Sequence, residues 1–292
     1  MFDHKELETL VAIVDGQSFD HAARQLNVSA GAVSQRIKSL ENRIGSAVLI
    51  RSTPPKPTTT GLQVLSYARR LLLIYNEMDI ALHHHAQEGT LPLTIAVNHD
   101  SLSCWFLEVI NRLKDNTHLS FDVRTSNTVD TQKQLKNGDV VAAITSCNSQ
   151  VAGCKTRYLG KLEYVAVCSR SFYQRYFNSS MAKAQYSKAP VVVYDRDDHL
   201  IERYLASRNI DAQPEKTHYI PSSHVLMDAA IKGLGWTMLP RGLLNKHSSS
   251  LVVMEESPLY VDLYWNTWDQ VSDIIADVEN VLLSVAAEKL LA

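Results

Sequence analysis

Ser29-Ala30-Gly31-Ala32-Val33-Ser34-Gln35-Arg36-Ile37-Lys38-Ser39-Leu40-Glu41 is the stretch on which the fold turns. Ser29 suits a helix N-cap, because its hydroxyl accepts from an otherwise orphaned N–H of the first turn. Val33, Ile37 and Leu40 fall at i, i+4 and i+7 and form one buried stripe. Ser34, Gln35, Arg36 and Lys38 are left facing outward, with the small Ala30 and Gly31 at the leading end. A helix to about residue 43 is predicted. Upstream, Leu7, Leu10, Val11 and Val14 repeat at helical spacing and Gly16 is a stop signal. Ser18 then opens a second short helix with Phe19, Ala22, Ala23 and Leu26 inward. Asn27-Val28-Ser29 is a tight connection, so the order is that of a helix-turn-helix.

Downstream, residues 47–51 suit a short strand. Ser52-Thr53-Pro54-Pro55-Lys56-Pro57 cannot be helical, because its prolines lack N–H donors and fix φ. This predicts a projecting wing. Thr58 can cap a long helix over 59–85, in which Val64, Ala68, Leu71, Tyr75, Met78 and Leu82 alternate spacings of four and three. That seam suits pairing with a second copy of the same helix, since ~27 helical residues reach ~40 Å. The alternative is that the stripe packs on its own chain. Ala86-Gln87-Glu88-Gly89-Thr90 is polar and marks a boundary. The expected domains are 1–58 (winged helix-turn-helix), 59–89 (linker helix) and 90–292.

A chain of 292 residues, 45% hydrophobic and 21% charged, exceeds what one core usually serves and is too apolar for a disordered polyelectrolyte. The net charge of −2 argues against nucleic acid only until its distribution is examined. Between residues 24 and 58 stand Arg24, Arg36, Lys38, Arg43, Arg51 and Lys56 against the single acid Glu41, a local surplus suited to phosphate. No apolar run approaches the ~20 residues of a membrane span, and Met1-Phe2-Asp3-His4-Lys5-Glu6 lacks the pattern of an export signal. A cytoplasmic location is expected. Cys104, Cys147, Cys154 and Cys168 contain no CxxC, so reduced thiols are expected, with a Cys147–Cys154 redox pair as a minor alternative. His83-His84-His85 point in different directions on a helix and suit a polar helix end better than a metal. Gly233-Leu234-Gly235 follows a helix and is a stop, not a dinucleotide loop. With no GxSxG, HExxH or P-loop pattern, no catalysis, cofactor or metal is expected.

From residue 90 onward, strands at 93–98, 119–125 and 140–145 alternate with helices at 103–114 and 130–137. The alternation resumes with strands at 164–168, 191–194, 218–220, 236–239 and 261–265 and closes with a helix over 271–291. This predicts an α/β architecture with parallel strands, in two lobes: about 90–163 with 266–292, and about 164–265. Asp100-Ser101 and Pro221-Ser222-Ser223 each stand between a strand and a helix, where hydroxyls and free N–H groups suit a carboxylate. Asp100, Asp195, Asp197 and Asp198 sit at strand ends, where open α/β sheets bind ligands and where acids would take a cation. Each of them equally suits a helix cap. Trp105, Thr145 and Trp265 are candidates to shape the cleft, although a buried Trp is more often core.

Taken with Phe19-Asp20-His21-Ala22-Ala23-Arg24-Gln25-Leu26, Leu49-Ile50-Arg51 and Pro57-Thr58-Thr59-Thr60-Gly61, the opening stretch resembles the LysR-type transcriptional regulators, and the resemblance extends over the whole chain. It implies a winged helix-turn-helix, a linker helix and a two-lobed effector domain similar to periplasmic solute-binding proteins. Ser29, Ala30, Ser34, Gln35, Arg36, Lys38, Arg51, Lys56 and Thr58 match positions that contact DNA. The wing, the run Leu93-Thr94-Ile95-Ala96-Val97-Asn98-His99-Asp100-Ser101-Leu102, Ala189-Pro190-Val191-Val192-Val193-Tyr194-Asp195 and Leu263-Tyr264-Trp265 further resemble its lysine- and arginine-responsive ArgP/LysG branch. The implied effector set is Asn98, Asp100, Ser101, Trp105, Thr145, Asp195, Ser222, Ser223 and Trp265, with a basic amino acid as ligand. The implied partners are double-stranded DNA, further copies of the chain in a homodimer or homotetramer, and RNA polymerase, with no membrane. Two other readings remain open: an architectural protein or replication-origin inhibitor using the same helix without an effector, and an enzyme built on residues 90–292.

Overall fold

The computed structural model describes residues 2–82, 91–116, 118–125, 128–148, 151–177, 183–244, 250–255, 257–269 and 272–292. The boundary expected at residues 86–90, the predicted helix end at 83–85 and its three histidines lie outside them.

Three helices open the chain: α1 (His4–Gly16), α2 (Phe19–Gln25) and α3 (Ala30–Ile44). Each has a side-chain cap: Asp3 accepts from Lys5 N at 3.0 Å, Ser18 from His21 N at 3.3 Å and Ser29 from Ala32 N at 3.2 Å. Leu10, Ile13, Ala22, Val33, Ile37 and Leu40 pack into one core with Val48, Leu65 and Ala68. Glu6 is buried beside that core and accepts from Ser39 Oγ at 2.5 Å and Arg43 Nη2 at 3.3 Å, which ties α1 to the back of α3.

The wing is a minimal antiparallel hairpin, β1 (Leu49–Ile50) with β2 (Lys56–Pro57). The Thr58 hydroxyl donates to the Ala47 carbonyl at 2.7 Å and accepts from Gly61 N at 2.9 Å, closing the hairpin onto α4 (Thr59–Leu82). A Cβ on Gly61 would stand 1.9 Å from the Val48 carbonyl oxygen, so no larger residue fits there. Val64 packs against the N-terminal core and Ala68 lies within it. These two members of the predicted seam are therefore internal, because the three-helix unit covers more of α4 than its size suggested. Beyond them Leu71, Tyr75, Met78 and Leu82 are 43, 45, 50 and 70% exposed.

The rest of the chain begins with β3 (Leu91–Val97), α5 (His99–Ser101), a π-helical turn (Leu102–Phe106), α6 (Leu107–Leu113), β4 (Leu119–Thr125), α7 (Thr128–Lys136) and β5 (Ala142–Thr145). The long β6 (Cys154–Ser169) leads to α8 (Arg170–Tyr176), α9 (Lys183–Lys188), β7 (Val191–Val193), α10 (Leu200–Ala206) and β8 (Thr217–Tyr219). It closes with α11 (Ser223–Ile231), β9 (Thr237–Pro240), α12 (Arg241–Leu244), β10 (Leu251–Val253), β11 (Leu259–Trp268) and α13 (Asp273–Lys289). The sheet order is β10-β6-β11-β5-β3-β4, with β9 also on β6 and a separate parallel pair β7-β8. Parallel pairing holds for β3 with β4 and β5.

It does not hold throughout, as the alternation had implied: β6 runs antiparallel to β9, β10 and β11. The sequence reading saw only the apolar end of β6. Its first half alternates Lys155, Arg157, Lys161 and Glu163 with smaller or apolar residues and so lacks a buried-strand signature. Together β6 and β11 run from the β5 side of the sheet to the β9 side, with a register shift between Leu263 and Tyr264.

The N-terminal unit and α4 are fastened to this α/β part. The Arg69 guanidinium bridges Asp15 of α1 and Asp139, the latter at 2.6 Å. Arg70 is sandwiched between the Tyr67 ring at 4.5 Å and the Trp268 ring at 4.4 Å. A Cβ on Gly138 would meet the Ser66 Cα at 2.6 Å, so the two backbones approach as closely as side chains permit. Farther along α4, Ser272 Oγ donates to Glu77.

Candidate DNA interface and effector cleft

On α3, Ala30, Gly31, Ser34, Gln35 and Lys38 are exposed along one face. Gln and Lys on such a face reach base edges and phosphate in a major groove. Arg51 and Lys56 are exposed in and beside the wing. Three residues of the expected contact set are otherwise engaged. Arg36 is half-buried and donates through Nη1 to the Thr9 hydroxyl at 3.2 Å, so it braces α3 against α1. Thr58 uses both hydrogen-bonding capacities of its hydroxyl to close the wing, and Ser29 acts as the N-cap.

In the α/β part a cleft of about 340 Å³ is lined by Asn98, His99, Asp100, Ser146, Tyr164, Tyr194, Asp195, Asp197, Asp198, His199, Leu200, Arg203 and Val261. The ends of β3, β5 and β7, the middle of β6 and the start of α10 supply most of these residues. All four predicted aspartates are present. Asp100 accepts from Tyr164 Oη at 2.6 Å and from Ser223 Oγ at 2.7 Å, which joins β6 and α11 to the turn after β3. Asp198 accepts from Tyr194 N at 3.1 Å and Leu200 N at 3.0 Å, and Asp195 from Asp197 N at 2.8 Å.

Burial raises the Asp198 carboxyl above its usual range, against the pull of those two backbone donors, and the charges of Asp100 and Asp195 add to the rise. Burial lowers His99, against the pull of Asp100 and Asp195, so the imidazole is neutral at pH 7; its ring lies 4.5 Å from that of Tyr194. Burial first, then Asp195 and Asp100, pushes the Tyr194 phenol up to about 12. The cleft is thus strongly acidic, with its carboxylates held in place by hydroxyls and backbone amides.

Several predicted effector residues are not brought to this cleft. Trp265 is fully buried and its indole donates to Glu279 of α13 at 3.2 Å. Trp105 packs in the main core. Thr145 and Ser101 are buried without lining the cavity, and Thr145 accepts from Cys147 N at 3.1 Å. Ser222 caps α11 by accepting from Val225 N at 3.4 Å, while the Ser223 hydroxyl is committed to Asp100. Of the hydroxyls expected to receive a carboxylate, those of Ser222 and Ser223 are therefore already used, whereas that of Ser101 is buried with no hydrogen-bond partner among the described residues. Sequence reasoning missed Tyr164, His99, Tyr194 and Arg203. His99 and Tyr194 directly follow or close a strand, a position that could have flagged them, whereas nothing local marks Tyr164. Burial pushes the Cys154 thiol up to about 11 and Cys104 and Cys168 up to about 12, so these sulfurs keep their protons at neutral pH. Among the described residues no cluster suited to a metal ion is found, and no helix is long and apolar enough to cross a membrane.

A winged helix-turn-helix joined by a long helix to a cleft-bearing α/β part defines a ligand-dependent DNA-binding regulator. Residues 4–62 match the family described as bacterial regulatory helix-turn-helix protein, lysR family, and residues 86–270 match the LysR substrate binding domain. The chain belongs to the LysR family of transcriptional regulators. It is 33% identical over 288 residues to the HTH-type transcriptional regulator ArgP of Vibrio vulnificus, covering 97% of each chain. The crystal structure of ArgP from Mycobacterium tuberculosis superposes with a TM-score of 0.88 at 33% identity over the full length of both chains. Full-length LysG of Corynebacterium glutamicum with bound effector Arg gives 0.79 at 29% identity, covering 99% of this chain and 100% of that one. This chain is a transcriptional regulator and not an enzyme.

Proposed function

We propose that this regulator binds double-stranded DNA through α3 and the wing, as a homodimer or homotetramer in the cytoplasm, and that a basic amino acid such as lysine or arginine in the acidic cleft controls it. The observation that carries the ligand class is the convergence of Asp100, Asp195, Asp197 and Asp198 on one cavity. Four carboxylates around a space that holds a small molecule favour a cationic guest, and the similar LysG structure holds Arg. An architectural protein without an effector has no use for such a cleft. The exposed apolar stripe Leu71, Tyr75, Met78 and Leu82, flanked by Tyr67 and Ile74, supports pairing of α4 with a second copy. Residues 1–58 then read DNA, 59–89 pair and connect, and 90–292 bind the effector.

Arg69, Arg70 and the Gly138–Ser66 contact support the coupling: α4 touches the turn between α7 and β5 and the end of β11 directly. A ligand shifts that arrangement only by as much as it prefers one form of it. Contact with RNA polymerase belongs to the same reading. Calorimetric titration of the full chain with L-lysine, L-arginine, L-glutamate and L-leucine is the test. Binding of the first two alone supports the proposal, and binding of a neutral or acidic amino acid in preference contradicts it.

A further inference from the structure

A basic amino acid brings a carboxylate into the cleft as well as a cation. Beside Asp195, Asp197 and Asp198 a carboxylate is repelled, the hydroxyls of Ser222 and Ser223 are committed to an N-cap and to Asp100, and the unpaired Ser101 hydroxyl is buried and does not line the cavity. Among the residues lining the cleft, Arg203 carries the one permanent positive charge, since the other basic groups are the imidazoles of His99 and His199. Arg203 projects from α10, whose flanking Ile201, Tyr204 and Leu205 are buried and hold the backbone in place. Its guanidinium makes one long hydrogen bond, from Nη2 to the Tyr260 carbonyl at 3.4 Å, and among the described residues no carboxylate pairs with it. Four of its five N–H donors are left for a planar acceptor, and carboxylate is the group whose geometry a guanidinium matches in two parallel bonds.

We propose that Arg203 is the carboxylate receptor of the cleft, so that the effector must carry an α-carboxylate together with a cationic side chain, and that the cleft rejects the decarboxylated amines, which keep both cationic groups and lack the carboxylate. The inference rests on the basic amino acid reading and adds the group that separates arginine from agmatine and lysine from cadaverine. An acidic cleft without such a receptor would favour the amines, which bring positive charge and no repelled anion.

The test is calorimetric titration of the full chain, wild type, Arg203→Ala and Arg203→Lys, with L-arginine, L-lysine, agmatine and cadaverine, with thermal melting as the control for folding. Arg203 is exposed, so all three proteins are expected to fold. In the wild type each amino acid binds about tenfold or more tightly than its amine, the scale of one charged bidentate contact. In Arg203→Ala the amino acids weaken about tenfold while the amines are unchanged or tighter, and Arg203→Lys recovers part of the loss. An equal loss for amino acids and amines, or unaltered arginine affinity in Arg203→Ala, overturns the assignment. If the wild type binds none of the four compounds, the basic amino acid reading itself fails, and the role of Arg203 with it.

Discussion

At the DNA-facing end, Ser34, Gln35, Lys38, Arg51 and Lys56 stand exposed on one helix and one hairpin. In the cleft, Asp100 is bonded to Tyr164 and Ser223 from distant segments, Asp195 and Asp198 accept from backbone amides of their own loop, and the cavity brings the two groups together. A surface that meets a long polyanion can be built from a local run of sequence, because phosphate repeats along the groove and tolerates mobile side chains. A cavity that must recognise one small cation fixes its charges in advance, and that takes residues far apart in the chain.

Substitutions that damage one region and spare the other test this contrast. Gly61→Ala should have the largest effect: its methyl group meets the Val48 carbonyl, and the N-terminal unit should lose about 3 kcal/mol, near the upper end for overpacking. Loss of operator binding in gel shift, with arginine binding by the cleft kept, is the expected pattern; loss of both would show that the regions do not fold independently. Asp195→Asn should reverse it, weakening L-arginine about tenfold in calorimetry while DNA binding without ligand is unchanged. Lys56→Ala should weaken DNA a few-fold on every sequence and lower the slope of log affinity against log salt by about 1, with no change in ligand affinity. A sequence-selective loss would instead place Lys56 at a base edge.

The pH response should be smallest. His99 is held below its ordinary 6.5, so it gains charge only in acid, and Asp198 is held above its ordinary range, so it loses charge earlier than a free aspartate as pH falls. Both changes make the cleft less negative, so the affinity for L-arginine should fall as the pH is lowered below 7 in calorimetry. Affinity that rises with acid would contradict the assignment of these groups to the ligand site.

The same contrast explains what the sequence made legible. Caps at Ser18 and Ser29, the stripe Val33, Ile37, Leu40 and the proline run of the wing are local features, and the structure shows each of them. The strand-end aspartates were legible for the same reason, since each closes or follows a strand. Tyr164 was not, because its role depends on β6 passing beside the turn after β3, a pairing no local pattern encodes. Trp105 and Trp265 do not line the cleft: the π-helical turn that carries Trp105 and the strand β11 that carries Trp265 both turn these rings into the main core, and side-chain size alone does not tell a cleft wall from a core. Glu6 carried no signal at all, since a charge buried inside a small helical unit is intelligible only with Ser39 and Arg43 beside it.

The central claim is that the two regions communicate through α4, fastened to the α/β part by Arg69 and Arg70. The most direct measurement is a nuclease footprint of the full chain on its operator with and without saturating L-arginine or L-lysine, with ligand binding verified in the same buffer. A footprint whose length or bend-induced hypersensitive sites change with the ligand is predicted. An identical footprint with the ligand demonstrably bound would contradict it.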